Sequence, residues 1–276
     1  MSISTLTNHC YNADMQLSDR VEFLITLAHQ AKSTMRNAFA TQNVTWKGDN
    51  SPVTEADIAI NQMVIDAVKE RYPGHGVWGE EQSYNPDATS RWLVDPIDGT
   101  MPFVIGAPLS TFTAAYVEED EVLSGVIYDP FMDRLYVAEK GKGAYCNKRP
   151  ISVSAKTTSN NMFFYMGSRV GTPERTLGNI IDACVNEGIR THSFNSGAYG
   201  IARVAAGGSD AALTTADPYG ISAADLILRE AGGVSATFAG VPWSVRQTNK
   251  VGYIGASSSG VLELALKMVG YENTGD

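Results

Sequence analysis

The feature that most limits the fold is a run of short apolar segments between Val77 and Ala138, each closed by a turn. The segments are Val77-Trp78, Trp92–Val94, Phe112–Tyr116, Val122–Tyr128 and Leu135–Ala138. Stretches this short, rich in β-branched and aromatic residues, read as strands, several of them consecutive and antiparallel. The acidic run Glu118–Glu121 is the solvated turn of one hairpin. A sheet of this kind must be covered, and the flanking sequence supplies helices to do it. Ahead of the strands, apolar positions recur at Val21, Leu24, Ile25, Leu27, Ala28 and Ala31, a helical stripe running from Ser18 towards Phe39. A polar break from Trp46 to Pro52 ends it. Thr54 then reads as an N-cap, with Glu55 and Asp57 in the first turn of a helix that continues to Pro73-Gly74. After a turn at Asn147–Pro150 the pattern alternates. A strand near Met162–Met166, a helix from about Pro173 to Glu187 and a helix from Gly197 to Ala206 come first. A strand at Ala211–Thr214, a helix at Ile221–Ala231, a strand at Gly252–Ile254 and a closing helix at Gly260–Val269 follow. The expected fold class is α/β (α+β) with helices and sheets in layers. An N-terminal half, residues 1–150, and a C-terminal half, residues 151–276, are expected to form one compact unit without a flexible hinge.

Charge narrows the partners. The chain has 276 residues and a formal net charge of −9, which disfavours non-specific binding to nucleic acid. An anionic ligand would need a local source of positive charge, which bound cations supply. The three cysteines, Cys10, Cys146 and Cys184, are widely spaced with no C-x-x-C pair. That spacing argues against a disulfide framework or a zinc knuckle and fits a reducing cytoplasm. The amino-terminal segment lacks the basic and apolar regions of a signal peptide, and no apolar run approaches membrane-spanning length. A cytoplasmic protein without membrane or nucleic-acid partners is expected.

The strongest local motif is Trp92-Leu-Val-Asp95-Pro-Ile-Asp98-Gly-Thr100, an apolar strand ending in a loop with two acids three residues apart. Pro96 locks the backbone after Asp95, and Gly99 permits a conformation that other residues resist. Such a turn can aim both carboxylates and the Ile97 carbonyl at one point, and hard cations such as magnesium take oxygen ligands of this kind. Gly79-Glu80-Glu81 closes another apolar segment, and Asp57 lies in a helix's first turn. Singly, each has an ordinary alternative: a turn, a solvated loop, an acid favoured by the helix dipole.

Together, the segments Pro52-Val-Thr-Glu-Ala-Asp57, Gly79-Glu-Glu81, Asp95–Thr100 and Ala223–Gly233 resemble the inositol monophosphatase family of lithium-sensitive, magnesium-dependent phosphatases. The resemblance implies a layered α-β-α-β-α sandwich of the inositol monophosphatase and fructose-1,6-bisphosphatase type. It also implies a homodimer, a small phosphorylated metabolite as substrate, and two or three Mg2+ ions as cofactor. Carried over residue by residue, it gives Glu80, Asp95 and the Ile97 carbonyl to a first ion. Asp95 and Asp98 would share a second, and Asp57 would assist a third through water. Thr100 with Glu80 would orient and activate the attacking water. Asp98, Gly99, Thr100, Ser196 and Gly197 would contact the substrate.

The late motif departs from the family pattern. Counting back from Glu230, the Asp expected as a ligand of the second ion is Gly220, a residue acceptable at a helix N-cap. Asp217 lies just before this helix and is a conceivable replacement, whereas Asp225 is turned about 140° away. The chain is therefore expected to be either a phosphatase, impaired to some degree, or a catalytically silent homologue that binds a metabolite or partner. Met101-Pro102 and the run Leu213-Thr214-Thr215 also differ from inositol-selective members, so histidinol phosphate, a sugar phosphate and a nucleotide bisphosphate stay open beside inositol phosphate. Ser168 and Arg169 are further candidates for polar contacts. His75 and His192 have no partner at metal spacing and read as ordinary polar residues. Cys146 and Cys184 read as packing residues.

Overall fold

Local sequence fixes where the first helices begin. In a computed structural model that describes residues 17–271, apart from 42, 158, 168, 169, 174 and 247–249, helix α1 spans Asp19–Ala38. Ser18 caps it by accepting a hydrogen bond from the Val21 N–H, and Asp19 and Glu22 stand at the positive end of its dipole. The polar break is in fact a β-hairpin, β1 (Val44–Trp46) against β2 (Pro52–Thr54), with Trp46 opposite Pro52. Helix α2 (Glu55–Arg71) starts from a reciprocal capping box between Thr54 and Asp57. Strands β3 (Gly76–Gly79) and β4 (Ser90–Asp98) are parallel, and a short helix α3 (Thr100–Val104) follows. Strands β5 (Thr111–Glu118), β6 (Glu121–Asp129), β7 (Arg134–Glu139), β8 (Ala144–Cys146) and β9 (Arg149–Pro150) then add in sequence order, each antiparallel to the last. Glu119 and Asp120, both at positive φ, make the β5–β6 turn.

The second half alternates. Its elements are β10 (Phe163–Met166), α4 (Leu177–Asn186), β11 (Arg190–His192), α5 (Gly197–Ala205), β12 (Ala211–Ala216), α6 (Pro218–Glu230), β13 (Val234–Thr237), β14 (Val251–Ala256) and α7 (Ser259–Met268). The strands form a second sheet in the order β11-β10-β12-β14-β13. Ser168 and Arg169 lie outside the described residues.

Three cores stack these elements into layers. Along β4 to β6 successive side chains face opposite ways. Val94, Ala114 and Val126 meet Leu24, Leu27 and Ala31 of α1 and Ile60 and Val64 of α2. Leu93, Ala115 and Ile127 meet Ile201 of α5 and Ala223 and Ile227 of α6, which also pack on Tyr165 and Tyr253 of the second sheet. Outside that sheet, Phe164, Leu213 and Ile254 meet Ile180 of α4 and Val261 of α7. The order is helix pair, seven-stranded sheet, helix pair, five-stranded sheet, helix pair: an α-β-α-β-α sandwich. Strands covered on both faces read as continuous apolar runs, which is why β5 shows no polar alternation.

His75 sits half-buried against the core rather than at the carboxylates. Its Nδ1 accepts a hydrogen bond from Trp92 Nε1 at 3.2 Å, inside an aromatic cluster where Trp92 packs against Phe23 and Tyr116 with centroids 4.9 and 4.8 Å away.

Candidate active site

A bulge turns the end of β4 into a site. Asp95 pairs with Thr113 and Asp98 with Thr111, so three steps on β4 match two on β5. In a regular strand, residues three apart point to opposite faces; one extra residue returns both acids to the same side. The sequence suggests that the strand stops before these acids, but β4 runs through both of them. Ile97 faces the other way and is fully buried against the α1–α2 core, leaving its carbonyl at the site, where it accepts the Thr100 hydroxyl at 3.2 Å. Gly99 has a φ of 87°, and a Cβ there would stand 2.8 Å from Ser196 Cβ, so glycine is required on both counts.

Asp98 reaches across to the second half of the chain. Its Oδ1 accepts the Gly197 N–H at 3.0 Å, and its Oδ2 accepts the N–H groups of Ala198 at 3.0 Å and Tyr199 at 3.3 Å. The hydroxyls of Ser196 and Thr111 also donate to it. Asp98 therefore sits on the N-terminus of α5, where the helix dipole favours an anion. Ser196 and Gly197, expected to contact substrate, hold this carboxylate, and Gly197 also lines the pocket in front of it. Burial pushes Asp98 up to about 6, against the lowering effect of these hydrogen bonds.

Asp95 has no such support. Its Oδ1 is buried without a hydrogen-bond partner, and the Glu80 carboxyl stands within hydrogen-bonding reach. Burial, then the charges of Glu80 and Asp98, raise Asp95 well above the usual carboxylate range. Glu80 is aimed by the parallel β3–β4 pairing, its N–H donating to the Val94 carbonyl at 3.0 Å. Asp57 is fully buried; Thr54 occupies its Oδ2 through the capping box, while Oδ1 has no partner. Burial pushes it up to about 6.

Lys47, at the turn of the β1–β2 hairpin, donates to Glu80 at 3.0 Å and Glu81 at 2.7 Å. Burial works against its charge, but the two carboxylates prevail and raise it. Nothing in the spacing of the sequence marks this lysine.

The late departure is equally concrete. Helix α6 begins earlier than the sequence suggests, with Asp217 as N-cap and Gly220 as its third residue rather than its cap. A Cβ on Gly220 would meet only Asp95 Oδ2, at 3.4 Å. Asp217 pairs with Lys250 at 2.9 Å. Asp225 is buried on another face of the helix, bound to Ser235, Tyr253 and Arg229.

The donor set fits a hard divalent cation. It consists of carboxylate and carbonyl oxygens, two of the oxygens are buried without partners, and facing carboxyls such as Asp95 and Glu80 need a proton or a cation between them. Among the described residues no three His, Cys, Asp or Glu side chains enclose one point as they stand, and Glu80 is shared between Asp95 and Lys47. A larger cleft at the other end of β4–β6 holds none of these residues, and its Lys140, Arg246 and Arg229 are paired with Glu121, Asp120 and Asp225.

Fold and site together define a class, the layered metal-dependent phosphatases. The model of the inositol monophosphatase family matches residues 16–269. Inositol monophosphatase 1 of Bos taurus is 31% identical over 240 residues, covering 82% of this chain and 86% of its own. A fructose-1,6-bisphosphatase/inositol-1-monophosphatase of Thermotoga maritima is 32% identical over 225 residues, covering 80% and 86%. The solved structure of a Thermotoga maritima IMPase superposes with a TM-score of 0.85 at 28% identity, over 92% of this chain and 97% of that one. The chain belongs to the inositol monophosphatase family, whose members are metal-dependent hydrolases of phosphoric monoesters. No helix among the described residues is long and apolar enough to cross a membrane.

Proposed function

We propose that the chain hydrolyses a small phosphate monoester with Mg2+, using two or three ions, and that Gly220 weakens the second ion's site. The observation that carries this reading is the buried, partnerless pair Asp95 Oδ1 and Asp57 Oδ1 beside Glu80. Glu80, Asp95 and the Ile97 carbonyl would hold the first ion, Asp95 and Asp98 the second, and Asp57 would assist a third. When bound, such ions neutralise the phosphoryl oxygens, acidify water and stabilise the leaving alkoxide. The chain's own residues do the positioning. Glu80 and Thr100 orient and deprotonate the attacking water. The Gly99 and Thr100 N–H groups face the phosphate, and Ser196 and Gly197 act on substrate through Asp98, by fixing its carboxylate. Lys47 steadies Glu80. Two copies are proposed to pair, giving a sedimentation mass near twice 29.7 kDa; a value near 29.7 kDa refutes the dimer.

Gly220 favours a second reading, a silent homologue that binds its metabolite without turnover. Phosphate release with magnesium and with chelator, over inositol, sugar, histidinol and nucleotide phosphates, separates the two. Release that chelator abolishes supports the phosphatase. Binding of one ester without release, in this chain and in an Asp-restored variant alike, supports the silent homologue.

A further inference from the structure

The pocket in front of Asp95 and Asp98 continues past the reacting position to a lysine that sequence spacing does not reveal. Strands β12 and β14 are antiparallel with Ala216 opposite Val251, so Asp217 and Lys250 follow directly beyond the ladder. Their side chains meet at 2.9 Å. Asp217 is the N-cap of α6 yet makes no side-chain cap bond; its carboxylate is engaged by Lys250 instead. The register thus pins the ammonium in place. The lysine side chain is 45% exposed and the aspartate 19%, so an arriving ligand meets the ammonium first.

Among the described residues lining this pocket, Lys250 is the one cation, beside Glu80, Asp95, Asp98 and Asp217. Cations held by the carboxylates would serve the reacting phosphate only. The rest of a substrate faces a chain of net charge −9. An ammonium has three N–H donors; Asp217 takes one and two remain for a ligand. An exposed ion pair is weak and shares its lysine readily. An amine at this point would be repelled by Lys250, and an uncharged polyol would leave the charge unused.

We propose that Lys250 is a specificity-determining residue that selects phosphate esters whose leaving group carries its own anion, a carboxylate or a second phosphate. This rests on the phosphatase reading above. The test uses the magnesium-loaded chain with sorbitol 6-phosphate, 6-phosphogluconate and fructose 1,6-bisphosphate. Selectivity is read as kcat/KM where there is turnover and as Kd by calorimetry where there is none. One charge-assisted hydrogen bond predicts that at least one of the two anionic esters is preferred about tenfold over sorbitol 6-phosphate. Which of the two it is names the anion. Lys250→Met is expected to bring all three within about twofold of each other, and Lys250→Arg to keep the preference. Because Lys250→Met also frees Asp217 to repel anions, the Asp217→Asn/Lys250→Met double variant must lose the preference too. A flat profile in the unaltered chain, or a preference that survives in the double variant, overturns the inference and leaves the phosphatase reading standing. If no ester is bound or hydrolysed with magnesium, that reading fails and this one with it.

Discussion

Placing an aspartate at position 220 should have opposite effects with and without metal. The position is open: a Cβ meets only Asp95 Oδ2, at 3.4 Å, and the backbone is that of a helix's first turn. Gly220→Asp gains roughly 0.3 kcal/mol of helix propensity and about 0.3–1 kcal/mol from the helix dipole. Against this, a further carboxylate about 5 Å from an ionised Asp95, at an effective dielectric of about 20, costs about 3 kcal/mol, a cost met only above the raised range in which Asp95 gives up its proton. Where Asp95 is ionised, metal-free protein should therefore lose about 2 kcal/mol, or roughly 3–4 °C in Tm for a chain of this length. On the function proposed above, the same charge should serve as an ionic ligand once magnesium is bound. Tm should then exceed that of the unaltered chain, and magnesium affinity should rise about tenfold or more, since about 1.4 kcal/mol suffices for each factor of ten. Thermal melts of both proteins in chelator and in excess magnesium, with calorimetric titration of the metal, measure all of this. Equal melting temperatures in chelator, or an affinity for magnesium that does not change, would refute the placement of residue 220 beside Asp95.

The raised carboxyls set a pH dependence. Asp57 and Asp98 move from about 4 unfolded to about 6 folded, so the folded form binds protons more tightly between these values. Metal-free stability should fall as pH rises from about 4 to about 6, and go on falling above that as the more strongly raised Asp95 ionises, while magnesium affinity rises in step; melts and titrations at several pH values check both. Trp92→Ala removes a fully buried ring from the α1–α2 core and orphans His75, and should cost about 3–5 kcal/mol by denaturant unfolding. Lithium should inhibit any activity by competing for a magnesium site, so activity unchanged at high lithium counts against the assignment.

The acids of the site were legible in the sequence because each is fixed by local chemistry. The Thr54–Asp57 capping box can be read from four residues, and Pro96 and Gly99 mark irregular backbone around Asp95 and Asp98, although a bulge within β4 rather than a turn gathers the two. The clustered strands and the later alternation gave helices and sheets in layers, while the order of the layers came from the family resemblance. Contacts made between distant segments were not legible. Lys47 reaches Glu80 across 33 positions because a hairpin stands where the sequence shows only a polar break. Lys250 meets Asp217 through a strand register that no local pattern encodes. Helix α6 begins at Pro218 rather than Ile221, since proline suits a first helical position, and this moved Gly220 from the cap into the first turn. The start of α5 at Gly197 was legible, but that its N–H groups hold Asp98, about 100 positions away, was not.

The hold of α5 on Asp98 also sets the timing of assembly during synthesis. The Gly197 N–H that meets Asp98 is made 99 residues after it, which at about 5–20 residues per second is a delay on the order of 5–20 s on the ribosome. Through that interval the nascent chain carries Glu80, Asp95 and Asp98 without the helix that fixes the last of them. A chain cut short before Ser196 therefore keeps all three carboxylates and lacks every α5 donor that holds Asp98.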